Sequence, residues 1–489
     1  MLQLSFENTY ARLPERFYSR IDPTAVAAPR LIRFNAALAA ELRIEVDVED
    51  AAGIAQALCG NRILPGSEPL AMAYAGHQFG QFVPQLGDGR AILIGEVRDR
   101  AGVLRDIQLK GAGRTPYSRG GDGRAALGPV LREYVMSEAM AALGIPSTRA
   151  LAAVSTGQTV LREEPLPGAI LTRIAASHVR VGTFQYFAAR DDYDAVRTLA
   201  DYVIGRHYPD LKSAAAPYLE LLKAVMRRQA SLVARWLHVG FIHGVMNTDN
   251  TAVSGETIDF GPCAFMDGYD ANKVFSSIDR HGRYAYSSQP SIAQWNLARL
   301  AETLLPLIDA NEGRAVELAT ESISAFGAEV DRHWLQGMRA KLGLSTADPR
   351  DLELAQRLLA IMQRTEADFT RTFRTLSSLA ESTEPLKVDG LGEDPQFLAW
   401  LDDWRSRGAI ESLPAAARAI AMRAVNPKYI PRNHRIEELI TAAVERQDFS
   451  LFDTLLSVLA RPFDEQPEAE AYAAPPRPEQ RVTQTFCGT

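Results

Sequence analysis

The hydrophobic pattern of this chain changes character near residue 190, and that change limits the folds open to it. Between about residues 70 and 190, apolar residues come in short β-type runs separated by glycine-rich turns. AILIGEV (91–97) and LRDIQLKG (104–111) flank the short polar turn RDRAG and read as a hairpin. RALAAVSTG, QTVLREE and GAILTRIA read as three further strands. One helix interrupts them, LREYVMSEAMAALG. Pro129 falls near its first turn, where a missing N–H costs little, and Gly144 followed by Pro146 ends it. Leu131, Val135, Ala139 and Leu143 give it one apolar face. Beyond residue 191 the spacing becomes helical, as in LELLKAVMRRQASLVARWLHVG, broken at 242–262 by loops and a small hairpin.

This pattern predicts an α+β chain: a small β-rich lobe with one key helix, then a larger, mostly helical lobe. The expected divisions are an N-terminal extension packing on the core (1–69), the β-rich lobe (70–190), the helical lobe (191–460) and a Pro-, Glu- and Ala-rich tail (461–489), draped over the surface or disordered. A chain of 489 residues can bury a core of this size. Its net charge of -7 argues against a protein whose main task is coating nucleic acid. No apolar run approaches the roughly 20 residues that cross a bilayer. The expectation is a soluble, cytoplasmic monomer that binds neither nucleic acid nor membrane. Three cysteines are too few for a disulfide framework, and Cys59 reads as a small buried residue.

Three signals arrive in the order an ATP-handling site needs. Lys110 ends a hairpin strand and precedes the helix carrying Glu133 and Glu138, so it can meet phosphates as a point charge neutralised by a glutamate. Read alone, it is more often a strand-end lysine pointing into water, since exposed lysine is the usual case. FIHGVMNTDN (241–250) matches the protein-kinase loop H-R-D-L-x-x-x-N at His243 and Asn250, but places Val245 where the catalytic Asp belongs. Valine cannot accept a proton, and adjacent Asp249 is the candidate replacement. TIDFGPC (257–263) then supplies Asp259 in a DFG tripeptide nine positions after Asn250, and the two oxygen donors suit Mg²⁺ or Mn²⁺. Two glycine clusters add to these. LGDGRAIL holds Gly87, Asp88, Gly89 and Arg90, and GRTPYSRGGDGRAA places Arg114, Arg119 and Arg124 among glycines that let N–H groups approach phosphate.

These motifs together resemble the selenoprotein O family, pseudokinases that act as protein adenylyltransferases. The resemblance is carried by YAGHQFGQFVPQLGDGRA (74–91), QLKGAGRTPYSRGGDGRAALGPVLREY (108–134), LTRIAASHVRVGTFQYF (171–187) and HGVMNTDNTAVSGETIDFGPCAFMD (243–267). It implies a protein-kinase-like, two-lobed fold that binds ATP in a flipped orientation and transfers AMP to protein hydroxyls of Ser, Thr or Tyr. By that likeness Lys110 contacts phosphate and pairs with Glu133. Gly87, Gly89, Arg90, Asp122, Gly123, Arg173 and Arg180 line the nucleotide site, Asn250 and Asp259 hold the metal, and Asp249 accepts the proton. The near-terminal Cys487 fits the family's terminal cysteine or selenocysteine. We expect Cys487 to pair with Cys263 when oxidised and to fix the tail near the site. Helical spacing alone does not choose Glu133 over Glu138.

Other readings of the same residues are transfer of the γ-phosphate with Asp249 as base, transfer of UMP from UTP, and a catalytically dead ATP-binding scaffold. Retention of both Asn250 and Asp259 argues against the scaffold.

Overall fold

The computed structural model describes residues 2–382 and 391–486 of the chain. Its centre is an antiparallel sheet in the order β1 (Tyr18–Arg20), β3 (Leu70–Met72), β6 (Ala91–Arg98), β7 (Leu104–Lys110), β10 (Pro165–Ala175), β9 (Arg149–Leu161) and β2 (Arg30–Phe34). A short β8 (Ala125–Ala126) also pairs with β10. The expected hairpin is β6–β7, with Ala91 opposite Lys110. Both edge strands come from the first 69 residues, so that segment is woven into the sheet.

The expected three strands after the helix are two. RALAAVSTG and QTVL form the single strand β9, because Gly157 at φ +68° sits inside it and does not close a turn. A Cβ there would come within 2.6 Å of Ala28, which is why the position needs glycine.

Strand β7 alternates in a way that places the site. Ile107 and Leu109 face a core shared with Ile54 and Leu58 of the N-terminal helix Ala51–Leu58. Asp106, Gln108 and Lys110 point to the opposite face. Against that face lies the helix Leu127–Ala142, with Leu131, Val135 and Ala139 buried and Gly144 at φ +73° just beyond its end. Its other side is covered by two C-terminal helices, Asn433–Arg446 and Ser450–Leu459. Tyr134 meets Phe452 edge-on at 5.4 Å, Arg132 pairs with Glu437, and a Cβ on Gly128 would come 3.0 Å from Ile440.

Residues beyond 180 are mostly helical, around the long helix Pro217–Val239, which ends at Gly240 in the left-handed region. The 242–262 interruption carries the catalytic-type loop, flanked by the short pair β11 (Phe241–Ile242) and β12 (Ala264–Phe265). A second small hairpin, β4 (Gly76–Gln78) and β5 (Gln81–Val83), lies over that loop. The tail follows the surface with short turns at Pro467–Ala469 and Pro478–Gln480. It is tied down at Thr485, whose N–H donates to the Phe275 carbonyl and whose hydroxyl donates to the Pro262 carbonyl. No helix among the described residues is long and apolar enough to cross a membrane.

Candidate active site

Strand register builds the charged centre. Gln108 stands between Leu93 and Arg173 in the sheet, and Lys110 between Ala91 and Leu171, so Lys110, Gln108 and Arg173 share one face. Glu133 on the helix Leu127–Ala142 reaches down to them. Lys110 Nζ lies 2.6 Å from Glu133 Oε2 and 2.9 Å from Asp259 Oδ1. Arg173 donates to Asp259 Oδ1 at 2.6 Å and approaches Glu133 Oε1 at 3.3 Å. Arg180 is 3.4 Å from Asp259 Oδ2 and 3.8 Å from Asp88 Oδ1, with its guanidinium 4.3 Å above the Tyr74 ring. Three cations thus face three carboxylates in a nearly dry setting, where an unpaired charge would be costly.

Asp259 is the meeting point. Its backbone is left-handed at φ +62°, a strained state for a non-glycine residue. Burial pushes its carboxyl up, but Arg173, Lys110 and Arg180 overcome this and hold it well below the usual carboxylate range. Helical spacing had left Glu133 and Glu138 open; the structure separates them. Glu138 turns away to Arg149, the Ala150 N–H and Asn35.

The catalytic-type loop follows the kinase pattern in part. His243 is buried, and its Nε2 contacts the Ile258 carbonyl at 2.9 Å, tying the loop to the residue before Asp259. Val245 occupies the base position and supplies only backbone groups: its N–H donates to His243 Nδ1 at 3.4 Å and its carbonyl accepts from Asn250 Nδ2 at 3.0 Å. Asp249 lies on the turn Thr248–Asn250. Gln78 donates to its Oδ2 at 3.2 Å, while its Oδ1 is buried with no hydrogen-bond partner. Burial pushes the Asp249 carboxyl up to about 6, with the Gln78 hydrogen bond opposing.

Gly87, Gly89, Arg90, Asp122 and Gly123 line one cleft of about 370 Å³, together with Tyr74 and Arg119. Gly123 is fixed at φ +69°, where a Cβ would collide with Gly113 at 2.1 Å. Asp122 is gripped by Arg162 from the β9–β10 turn at 2.9 and 3.2 Å. Not every loop arginine is free for phosphate. Arg114 donates to the Gly121 carbonyl and Arg124 to the carbonyls of Thr24 and Ala25, so these two shape the loop.

Among the described residues no three His, Cys, Asp or Glu side chains are grouped as a metal site. Asp259 offers a carboxylate from the ion cluster, and Asn250, whose Nδ2 is spent on the Val245 carbonyl, offers its amide oxygen from the loop. That donor set suits a hard cation completing its shell with phosphate and water. Cys263 is fully buried, as is Cys59, and Cys487 lies outside the described residues.

Gln108 escapes the motif reading, yet it joins the two halves of the site. Its Nε2 donates to Asp88 Oδ2 at 3.0 Å and its Oε1 accepts from Arg173 Nε at 2.7 Å. Asp88 also accepts the Met72 N–H, and so anchors the first glycine loop. The signal was present: two residues before the strand lysine, a glutamine keeps the same face.

A family model described as protein adenylyltransferase SelO matches residues 1–460. A Rhizobium rhizogenes protein named protein nucleotidyltransferase YdiU is 64% identical over 488 residues, covering 99% of this chain and 97% of that relative. Proteins of the same name from Rhizobium meliloti and Rhodopseudomonas palustris are 62% and 61% identical, covering 100% and 99% of both chains respectively.

Proposed function

Because the chain belongs to the protein adenylyltransferase SelO family and is a nucleotidyltransferase, we propose that it transfers AMP from ATP to the Ser, Thr or Tyr hydroxyls of proteins. On this reading the sheet and the helix Leu127–Ala142 are the small lobe of a kinase-like fold, and residues 191–460 are the larger lobe.

The observation that carries the reading is the character of the cleft at the glycine loops. This cleft sets Arg90 and Arg119 among glycines, while Arg124 and Arg162, also in its lining, are spent on the Thr24 and Ala25 carbonyls and on Asp122. Such a lining favours the β- and γ-phosphates of an inverted nucleotide. The α-phosphorus is then the centre nearest the acceptor. The acceptor oxygen forms a bond to it, the α–β P–O bond breaks, and pyrophosphate leaves. The hydroxyl proton passes to Asp249, whose unpartnered Oδ1 is free to receive it. Lys110, Arg173 and Arg180 neutralise phosphate charge, preorganised by Glu133 and Gln108. A Mg²⁺ or Mn²⁺ ion held by Asn250 and Asp259 would supply further charge neutralisation when bound.

The same reading includes redox control through Cys263 and Cys487. It is supported by the anchoring of Thr485, two residues before Cys487, on Pro262, one residue before Cys263. Non-reducing peptide mapping of the oxidised protein should recover a 263–487 link, and its absence removes this element. The transfer itself is tested by the intact mass of an acceptor protein after incubation with ATP. A gain of AMP supports it, a gain of one phosphate replaces it with kinase chemistry, and no gain leaves a scaffold.

A further inference from the structure

Hairpin β4–β5 covers the catalytic-type loop residue by residue. The His77 N–H donates to Thr248 Oγ1 at 2.6 Å, Gln78 Nε2 to Asp249 Oδ2 at 3.2 Å, and the Phe79 N–H to Asn247 Oδ1 at 3.1 Å. Phe79 stands at φ +52°, a costly conformation for a bulky residue, and Gly80 follows at +84°. The strain is held by the bond to Asn247, a second to the Tyr284 hydroxyl at 3.2 Å, and a ring contact with Tyr284 at 5.1 Å. The hairpin is therefore a fixed wall beside Asp249.

Its outer face continues into an aromatic and cationic patch. The His77 ring lies 4.9 Å from Phe82 and meets Trp295 edge-on at 5.2 Å. Arg283 and Arg299 place their guanidinium groups 4.8 and 5.0 Å from the Trp295 ring. Arg299 is paired with Glu302 at 2.6 Å. Among the described residues Arg283 has no carboxylate within ion-pair distance, and its Nε lacks a hydrogen-bond partner. The acid on its own segment, Asp279, is engaged by the backbone N–H groups of Arg283 and Tyr284. Phe82 is 40% exposed, so this patch presents an apolar ring to solvent beside the His77 and Trp295 rings.

We propose that this patch docks the acceptor protein as an extended segment with an acidic side chain flanking the reactive hydroxyl. The acid pairs with Arg283, an apolar side chain covers Phe82 and Trp295, and the hydroxyl reaches Asp249. This inference rests on the AMP-transfer reading and names its substrate class. Charge complementarity selects the occupant. A guanidinium stacked on tryptophan without a carboxylate, on a chain of net charge -7, is a local invitation to an anion. A single-stranded nucleic acid would want a longer basic track with repeated stacking platforms.

The test is fluorescence anisotropy with the full chain and ATP, using labelled peptides that differ only in the residues flanking one Ser or Tyr. The Asp/Glu-flanked peptide should bind about tenfold more tightly than the Lys-flanked one, a preference that falls as salt rises. Arg283→Glu should abolish or invert that preference, and Trp295→Ala should weaken both peptides. ATP-induced thermal stabilisation reports that the variants are folded. If Arg283→Glu does not fold, Arg283→Gln takes its place, with loss of the preference expected. Equal affinity for the two peptides, an unchanged preference in the Arg283 variant, or tighter binding of an oligouridylate overturns the proposal. Binding needs no turnover. An acidic peptide that binds as expected but takes no label from α-labelled ATP sinks the transfer reading and leaves the docking surface standing.

Discussion

Replacing Gln108 by leucine asks whether one buried amide holds the two halves of the site together. The substitution roughly conserves volume, so a large cavity term is avoided. It removes a 3.0 Å hydrogen bond to Asp88 and a 2.7 Å hydrogen bond from Arg173, each joining a neutral amide to an ionised group. Gln108 is 0% exposed and both partners 2%, so water does not replace either bond. At roughly 1.5–3 kcal/mol for each hydrogen bond to a charged group, the expected destabilisation is about 3–6 kcal/mol. Asp88 keeps the Met72 N–H and Arg173 keeps Asp259, which places the result toward the lower half of that range. Urea unfolding followed by tryptophan fluorescence and by circular dichroism measures the loss, and nucleotide titration should show weakened affinity. Gln108→Glu supplies the control. It retains an acceptor for Arg173 but sets a second carboxylate against Asp88, so its loss should grow as pH rises. A leucine variant within about 1 kcal/mol of the parent, with unchanged nucleotide affinity, would refute the coupling.

Three further expectations follow from named geometry. Asp249→Ala should lower transfer by roughly 10²–10⁴-fold, the usual range for a general base, while ATP still raises the melting temperature; undiminished turnover would remove Asp249 from that role. Gly123→Ala drives a methyl group into the Gly113 backbone from a left-handed position, and should abolish nucleotide binding while sparing the far-UV spectrum; normal binding would contradict the role given to this loop. Lys341 is buried over the rings of Phe373 and Phe369, and burial lowers it to about 7 from 10.5. Between these two values the unfolded chain carries the proton and the folded chain does not, so this residue makes stability rise from pH 7 to about 10.5. Lys341→Met should flatten that rise and add roughly 3–5 kcal/mol at pH 6, from a shift of a few units at about 1.4 kcal/mol each. An equal pH slope in the variant would contradict it.

How much of this was legible in the sequence depended on whether the signal was local. The β6–β7 hairpin and the helix ending at Gly144 are set by alternation, turn residues and a left-handed glycine, all within a few positions. The motif residues Lys110, Asn250 and Asp259 stand out because their spacing along the chain is itself the signal, and the fold brings Lys110 and Asp259 into direct contact. Gly157 misled, since a glycine inside a long strand and one in a turn look alike until Ala28 is seen packed against it. The choice between Glu133 and Glu138 needed the sheet. So did Gln78, whose bond to Asp249 spans 171 positions. The packing of Asn433–Arg446 and Ser450–Leu459 onto Leu127–Ala142 was invisible for the same reason: apolar helical faces do not name their partners.

The central claim is that this ion cluster and glycine-loop cleft hold a nucleotide so that its α-phosphorus meets the acceptor. Parallel incubations of the protein and an acceptor with α-labelled ATP, γ-labelled ATP and α-labelled UTP test it most directly. Stable label on the acceptor from α-labelled ATP only, lost in Asp249→Ala, is the predicted result. Label from the γ-form only would contradict the account.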